Sequence, residues 1–229
     1  MLAKKKKLSK KEIKEDKLVT TFYEAKTFYK ENQTIIFSVV AAVVLIIVAT
    51  LFFSSRNIEN NLAASTELSR VYATYNAGLF QQAIDGKPGT QEIGLLKIVD
   101  KYSGSSQGEL ARIILANAYY YTEQYDKALE EYDSYSGDDD KMIASALAGK
   151  ASCYEVKGNY EDAAKFFAKA ANVNKYVPAN SDYLLNAAIN YIKVKNYDQA
   201  GELLKRVKDE YNTSLAAKQV DKYLALVKS

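Results

Sequence analysis

Histidine and tryptophan are absent from this chain of 229 residues, and cysteine occurs once. Without histidine, and with Cys153 alone, no ordinary zinc site and no Ser-His-Asp or Cys-His catalytic arrangement can be built. A single cysteine also excludes an intramolecular disulfide, even in an oxidising compartment. No convergent pair of acids stands out. The composition therefore points to no catalytic residue, no cofactor, no metal and no small-molecule substrate. Proline is scarce too, at two residues. What the chain has in quantity is tyrosine, with 19.

Charge is missing from Asn32 to Ser55, and Ile35 to Phe53 is nearly all apolar. At 1.5 Å per residue that apolar run spans roughly 28 Å, close to the ~30 Å hydrocarbon core of a bilayer. A core helix of a soluble domain would keep one polar stripe, and this segment has none. A secretory signal has a shorter apolar region of ~7–15 residues and a small-residue cleavage site. Here the run ends in Leu51-Phe52-Phe53, and no cysteine follows that could carry a lipid. These features predict a retained transmembrane helix over 32–55.

Charge then orients it. Residues 1–31 hold ten lysines against five acids, and the rest of the chain holds 21 basic against 23 acidic residues. The positive-inside bias places segment 1–31 in the cytoplasm and 56–229 across the membrane. The run Lys4-Lys5-Lys6-Lys7 beside such a helix reads as a topology and lipid-headgroup signal, not as a nucleic-acid patch. Ser9-Lys10-Lys11-Glu12 has the capping-box form. Leu18, Val19, Phe22, Tyr23 and Tyr29 follow at helical spacing, which predicts an amphipathic helix over about 9–30. It either rests on the inner leaflet or docks on a membrane partner.

Beyond the span the chain repeats. The stretches "ANAYYYTEQYDKALEEY", "ASCYEVKGNYEDAAKFF" and "AINYIKVKNYDQAGELL" share one pattern. Each has a small residue (Ala116, Ala151, Ala188), then a tyrosine three on (Tyr119, Tyr154, Tyr191). A second tyrosine comes six later (Tyr125, Tyr160, Tyr197), and an alanine three after that (Ala128, Ala163, Ala200). The period is 35 and then 37 residues. Small residues at fixed spacing let paired helices approach, and aromatics fill the gaps between neighbours. This pattern resembles the tetratricopeptide repeat. The third aromatic is present as Tyr132 and Phe167 but is Leu204 in the last repeat, and the usual turn glycine appears as Gly158. "ATYNAGLFQQAI" is a degenerate first unit carrying Gly78, Phe80 and Ala83, interrupted by "DGKPGTQE". A closing helix is expected near the end, with Leu215, Val220, Leu224 and Val227 on one side. The fold expected is all-α: one N-terminal transmembrane helix, then a helical-repeat solenoid with a C-terminal cap over 56–229.

Two local features have plain readings. Gly137-Asp138-Asp139-Asp140 lacks the alternating acids of a calcium loop and reads as an inter-repeat turn with Asp140 capping the next helix. Cys153 sits among apolar helix positions and reads as a small core residue.

The whole plan resembles the YfgM-type ancillary subunit of the bacterial Sec translocon. The segment "FYEAKTFYKENQ", one span and an extracytoplasmic repeat domain carry the likeness, and "DKYSGSSQGELARIILANAYYYTEQYDKALEEY" resembles the YfgM-like proteins of Bacteroidota. The resemblance implies a single-pass inner-membrane protein with a periplasmic repeat domain. It also implies three kinds of protein partner: the Sec channel, a membrane-anchored periplasmic chaperone of the prolyl-isomerase type, and unfolded secretory chains. A scaffold for cell-envelope assembly that binds folded partners stays open beside it. Neither reading involves nucleic acid. In repeats of this kind the first helix of each pair lines a concave face. The resemblance thus implies a protein-binding groove from Leu110, Ile113, Asn117, Tyr120 and Tyr121, continued by Ala148 and Ser152 and by Leu185 and Ile189. With one lysine and one asparagine at such positions, Lys193 and Asn117, a clamp for a C-terminal carboxylate is not expected.

Overall fold

The computed structural model of the protein describes residues 10–227, with side chains from Val19 onward and at Lys17. The run Lys4-Lys5-Lys6-Lys7, the expected cap Ser9, the side chain of Leu18 and the last two residues lie outside that range. Two compact units divide the chain, Met1–Arg56 and Asn57–Ser229.

In the first unit, helix α1 spans Lys10–Glu31, as the pattern predicted. Its apolar residues do not form the clean stripe expected. At about 100° per residue, Lys26 and Lys30 fall in the same arc as Val19, Phe22, Tyr23 and Tyr29. Helix α2 spans Gln33–Asn76, so it continues past the expected end at Ser55. It is long and apolar enough to cross a membrane, with a mean hydropathy of 3.1 over its apolar window and none of that window buried. The hydroxyls of Ser38 and Thr50 donate to the carbonyls of Thr34 and Ile46, each at 2.8 Å. Both polar groups are thereby satisfied inside the helix, as an apolar medium requires.

The second unit begins with the last turns of α2, whose Ala64, Leu68, Val71 and Thr74 are buried. Two short helices follow, α3 (Phe80–Asp85) and α4 (Leu95–Tyr102). Three hairpins then match the three repeats: α5 (Ser106–Tyr121) with α6 (Tyr125–Asp133), α7 (Asp140–Val156) with α8 (Tyr160–Ala171), and α9 (Asn180–Lys193) with α10 (Tyr197–Glu210). Each helix packs on the next in the stack. The small residues Ala116, Ala128, Ala151, Ala163, Ala188 and Ala200 are all fully buried. One apolar cluster runs from Ala64 to Cys153 and another from Ala148 to Val220, so the two meet along α7.

One turn joins the helices of every pair. Gly78, Glu123, Gly158 and Lys195 hold φ of 75°, 62°, 78° and 59°. Each donates its N–H three residues back, to the carbonyls of Tyr75, Tyr120, Glu155 and Ile192, at 2.9–3.0 Å. The left-handed conformation suits glycine and strains the other two.

Between Asp85 and Leu95 the second helix of the degenerate first repeat is broken. Thr74 Oγ1 donates to Glu92 Oε2 at 2.9 Å and ties the intervening loop to α2. Glu109, 3 % exposed, accepts the N–H groups of Gly104 at 3.1 Å and Ser136 at 2.9 Å. It thereby pins the loops on both sides of the first hairpin.

Two expectations need correction. The cap of α7 is Asp139, whose carboxylate accepts from the Met142 N–H at 3.0 Å. Asp140 is the first helical residue and accepts from Asn174 Nδ2 at 2.6 Å. The closing helix is also shorter than expected: α11 spans Val220–Val227 after a 3-10 turn at Ala217–Gln219. Leu215 is 73 % exposed, and Ala216 beside it is buried instead.

Two measurements follow from this packing. Ala163→Leu should overpack the space between α7 and α8 and cost about 1–3 kcal/mol. An unchanged melting temperature would mean that the site has room for the larger side chain. Glu123→Gly and Lys195→Gly should each stabilise the domain by about 0.5 kcal/mol, because relief of the left-handed strain exceeds the entropy that glycine adds to the unfolded chain. Gly158→Ala should do the reverse, and denaturant midpoints report all three.

Candidate protein-binding groove

The first helices α5, α7 and α9 carry the positions expected to line a groove. Their surfaces differ along the stack. Tyr121 is 58 % exposed, whereas Leu110, Asn117, Tyr120, Ser152 and Ile189 are half-buried. Ile113, Ala148 and Leu185 are core residues, at 5 %, 8 % and 4 %. They support the surface from beneath and are not part of it, which corrects the sequence-based set.

Aromatic rings concentrate at the α5 end. Tyr75 meets Phe80 edge-on at 5.3 Å, and Phe80 stacks on Tyr121 at 4.6 Å. Tyr121 meets Tyr120 at 5.8 Å, and Tyr120 meets Tyr125 at 5.5 Å. Five rings from α2, α3, α5 and α6 thus form one connected row. Such pairs add about 0.5–1.5 kcal/mol each beyond their buried area, so the row is stiff. Tyr75 and Phe80 were absent from the expected groove. The signal for Phe80 was in the sequence, since it holds the repeat position of Tyr125, Tyr160 and Tyr197.

Asn117 is engaged by its own chain. Its Oδ1 accepts from the hydroxyl of Tyr132 at 2.6 Å. The amide therefore braces a buried phenol. The Tyr132 ring in turn lies against the backbone of Gly149 on α7, where a Cβ would run into it. Burial pushes the Tyr132 phenol up, and neighbouring Cys153 and Tyr75 add to the shift. Burial likewise raises Tyr120, with Tyr125 next in effect. It raises Tyr75 too, with Tyr121 adding to the rise and a hydrogen bond from Asn117 opposing it. All three phenols stay protonated in ordinary solution and so keep an O–H to donate.

Further along, charge replaces aromatics. Lys193 Nζ pairs with Glu155 Oε1 at 2.7 Å, which links α9 to α7. The lysine among these positions is thus answered by a neighbour. Cys153 is fully buried, and burial pushes its thiol up to about 11. That makes it a core group with little thiolate. Among the described residues, no three histidine, cysteine or acidic side chains gather where a metal ion could sit. The arrangement offers contact area and hydrogen bonds.

Stacked helix pairs with one recurring turn define a helical-repeat solenoid. A family model for the tetratricopeptide repeat-like domain matches residues 26–182, and the chain belongs to that family. The matched range stops before most of α9, yet Lys195 in the last hairpin repeats the same turn. No curated protein and no solved structure matches the chain.

Gly149→Ala should destabilise the domain by about 1–3 kcal/mol, because the added methyl must displace the Tyr132 ring. Tyr132→Phe should cost about 1 kcal/mol through the lost hydrogen bond to Asn117. Were Tyr132→Phe to melt with the parent, the Asn117 contact would carry no net stability.

Proposed function

We propose that the repeat domain binds apolar segments of other proteins at the tyrosine row of α5, and that α2 holds the domain to a membrane. Domains of this family generally bind proteins. The observation that carries the site is the exposed Tyr121 ring, stacked on Phe80 and held from behind by Tyr120. A rigid aromatic with a hydroxyl gives large contact area at little entropic cost and can bond a peptide backbone. An unfolded apolar stretch or an amphipathic segment fits such a surface.

The setting we favour is the bacterial inner membrane. There the chain would cross once, with its N-terminus cytoplasmic and its repeat domain periplasmic, as an accessory of the Sec translocon. Emerging secretory chains would be its clients, and the channel and a prolyl-isomerase-type chaperone its neighbours. The charge balance around the apolar helix and the family resemblance of the full plan support this placement.

A photo-crosslinking amino acid at Tyr121, in the full chain in native membranes, tests both parts. Adducts with the channel and with translocating chains are expected, and Phe80→Ser should reduce them several-fold. Adducts dominated by wall or outer-membrane assembly machinery would replace the translocon reading with the envelope-scaffold one. No protein adduct at all would remove the surface assignment.

A further inference from the structure

Helix α1 carries a second surface. Its residues from Val19 to Glu31 are all exposed. Four large rings are among them: Phe22 at 63 %, Tyr23 at 61 %, Phe28 at 62 % and Tyr29 at 43 %. Placed at about 100° per residue, Tyr29, Phe22, Lys26, Val19, Lys30 and Tyr23 share an arc of about 120°. Among residues 19–31, no acid lies in that arc. Thr20, Glu31, Glu24, Phe28 and Thr21 fill the opposite side, with Thr27 at its edge, so one of the four rings lies off the arc. The lysines sit among the rings, so hydrophobicity alone does not separate the two faces, whereas sign of charge does.

We propose that this face of α1 lies on the headgroups of a bilayer containing anionic phospholipid. The inference rests on the reading of α2 as a membrane anchor. Charge complementarity selects the occupant. Lysine among aromatics is the composition that settles at a membrane interface, where rings sit at headgroup depth and ammonium groups reach phosphates. Position selects it as well. Glu31, the last residue of α1, stands four residues before the apolar run that starts at Ile35. Distance decides how the helix lies. Phe22 is thirteen residues before Ile35, about 20 Å along a helix axis. The interfacial layer is only about 5–8 Å deep on each side. A helix rising straight from the span would leave Phe22 and Tyr23 in water. A helix turned along the surface keeps the whole arc in the layer. Helix α1 ends at Glu31 and α2 starts at Gln33, so Asn32 interrupts the two at the place where such a turn is needed.

The chain lacks tryptophan, so a single introduced indole reports without background. Reconstitute the full chain, as Phe22→Trp and separately as Thr27→Trp, in vesicles of phosphatidylcholine with and without one-third phosphatidylglycerol. The Phe22→Trp indole should emit further to the blue in the anionic vesicles, and headgroup-proximal spin-labelled lipid should quench it several-fold more than the Thr27→Trp indole. Adding Lys26→Gln and Lys30→Gln should abolish that difference, as should 1 M salt, where the screening length falls to about 3 Å. If the Phe22→Trp indole stays wet in both vesicles, or the two positions respond alike, the lipid face is wrong. A protein-docking face on α1 would then be the better reading. Flotation of the parent chain with the neutral vesicles tests the anchor separately. A chain that floats while the Phe22→Trp indole stays wet overturns only this inference, and a chain that fails to float overturns the anchor itself.

Discussion

Close approach of paired helices at alanine is the constraint on which the repeat domain depends. Ala116, Ala151 and Ala188 on the first helices are fully buried, as are Ala128, Ala163 and Ala200 on the second helices. A larger residue there would hold the helices apart and leave the aromatics of the next pair without a seat. Closely packed interiors transmit such a change, because no void takes it up. The stacking has a second consequence. No pair can bury both of its faces alone, so each relies on the next, and the last relies on α11. Val220, fully buried, is where that cap meets the second apolar cluster. Helix α7 contributes to both clusters, through Ala146 and Cys153 on one side and Ala148 and Ala151 on the other. It is the element whose loss would separate the domain into two halves.

The hairpins were legible because their marks are local. A small residue, two tyrosines and an alanine at fixed spacing belong to one helix pair, and spacing along one pair is what a sequence displays. Depth was harder to read. Ile113, Ala148 and Leu185 hold first-helix positions that commonly face a groove, yet the structure buries them. Whether such a position is surface depends on its neighbours, and Ala148 is too short to reach past its own. The carboxylate of Glu109 was invisible for a related reason, since its two backbone partners lie 5 and 27 residues away. The cap at Asp139 was missed by one residue because three adjacent aspartates offer the same side chain at three places. Gly158 announced its turn, while Glu123 and Lys195 adopt the same backbone without a glycine to mark it.

The broken first repeat shapes the tyrosine row. Its second helix stops at Asp85 and resumes at Leu95. The short α3 still places Phe80 at the repeat's aromatic position, and from there it stacks on Tyr121. Tyr121 thus meets a ring from the degenerate pair, and the tyrosine row begins with an aromatic wall braced by Tyr75. The unit that departs most from the repeat pattern therefore supplies two of the five rings.

Charge separates the two surfaces physically. The tyrosine row carries no ionised group of its own, and the next charges along the first helices, Glu155 and Lys193, neutralise each other at 2.7 Å. Contacts there gain little from salt-sensitive attraction, because a paired charge has almost no field to offer at a Debye length of ~8 Å. The opposite holds on α1, where Lys26 and Lys30 share an arc that holds no acid between Val19 and Glu31. The N-terminal segment holds ten lysines against five acids, while the remainder is slightly acidic. If both proposed surfaces are occupied, ionic strength weakens the contact at α1 and leaves the one at the tyrosine row nearly unchanged, so a change at one need not disturb the other.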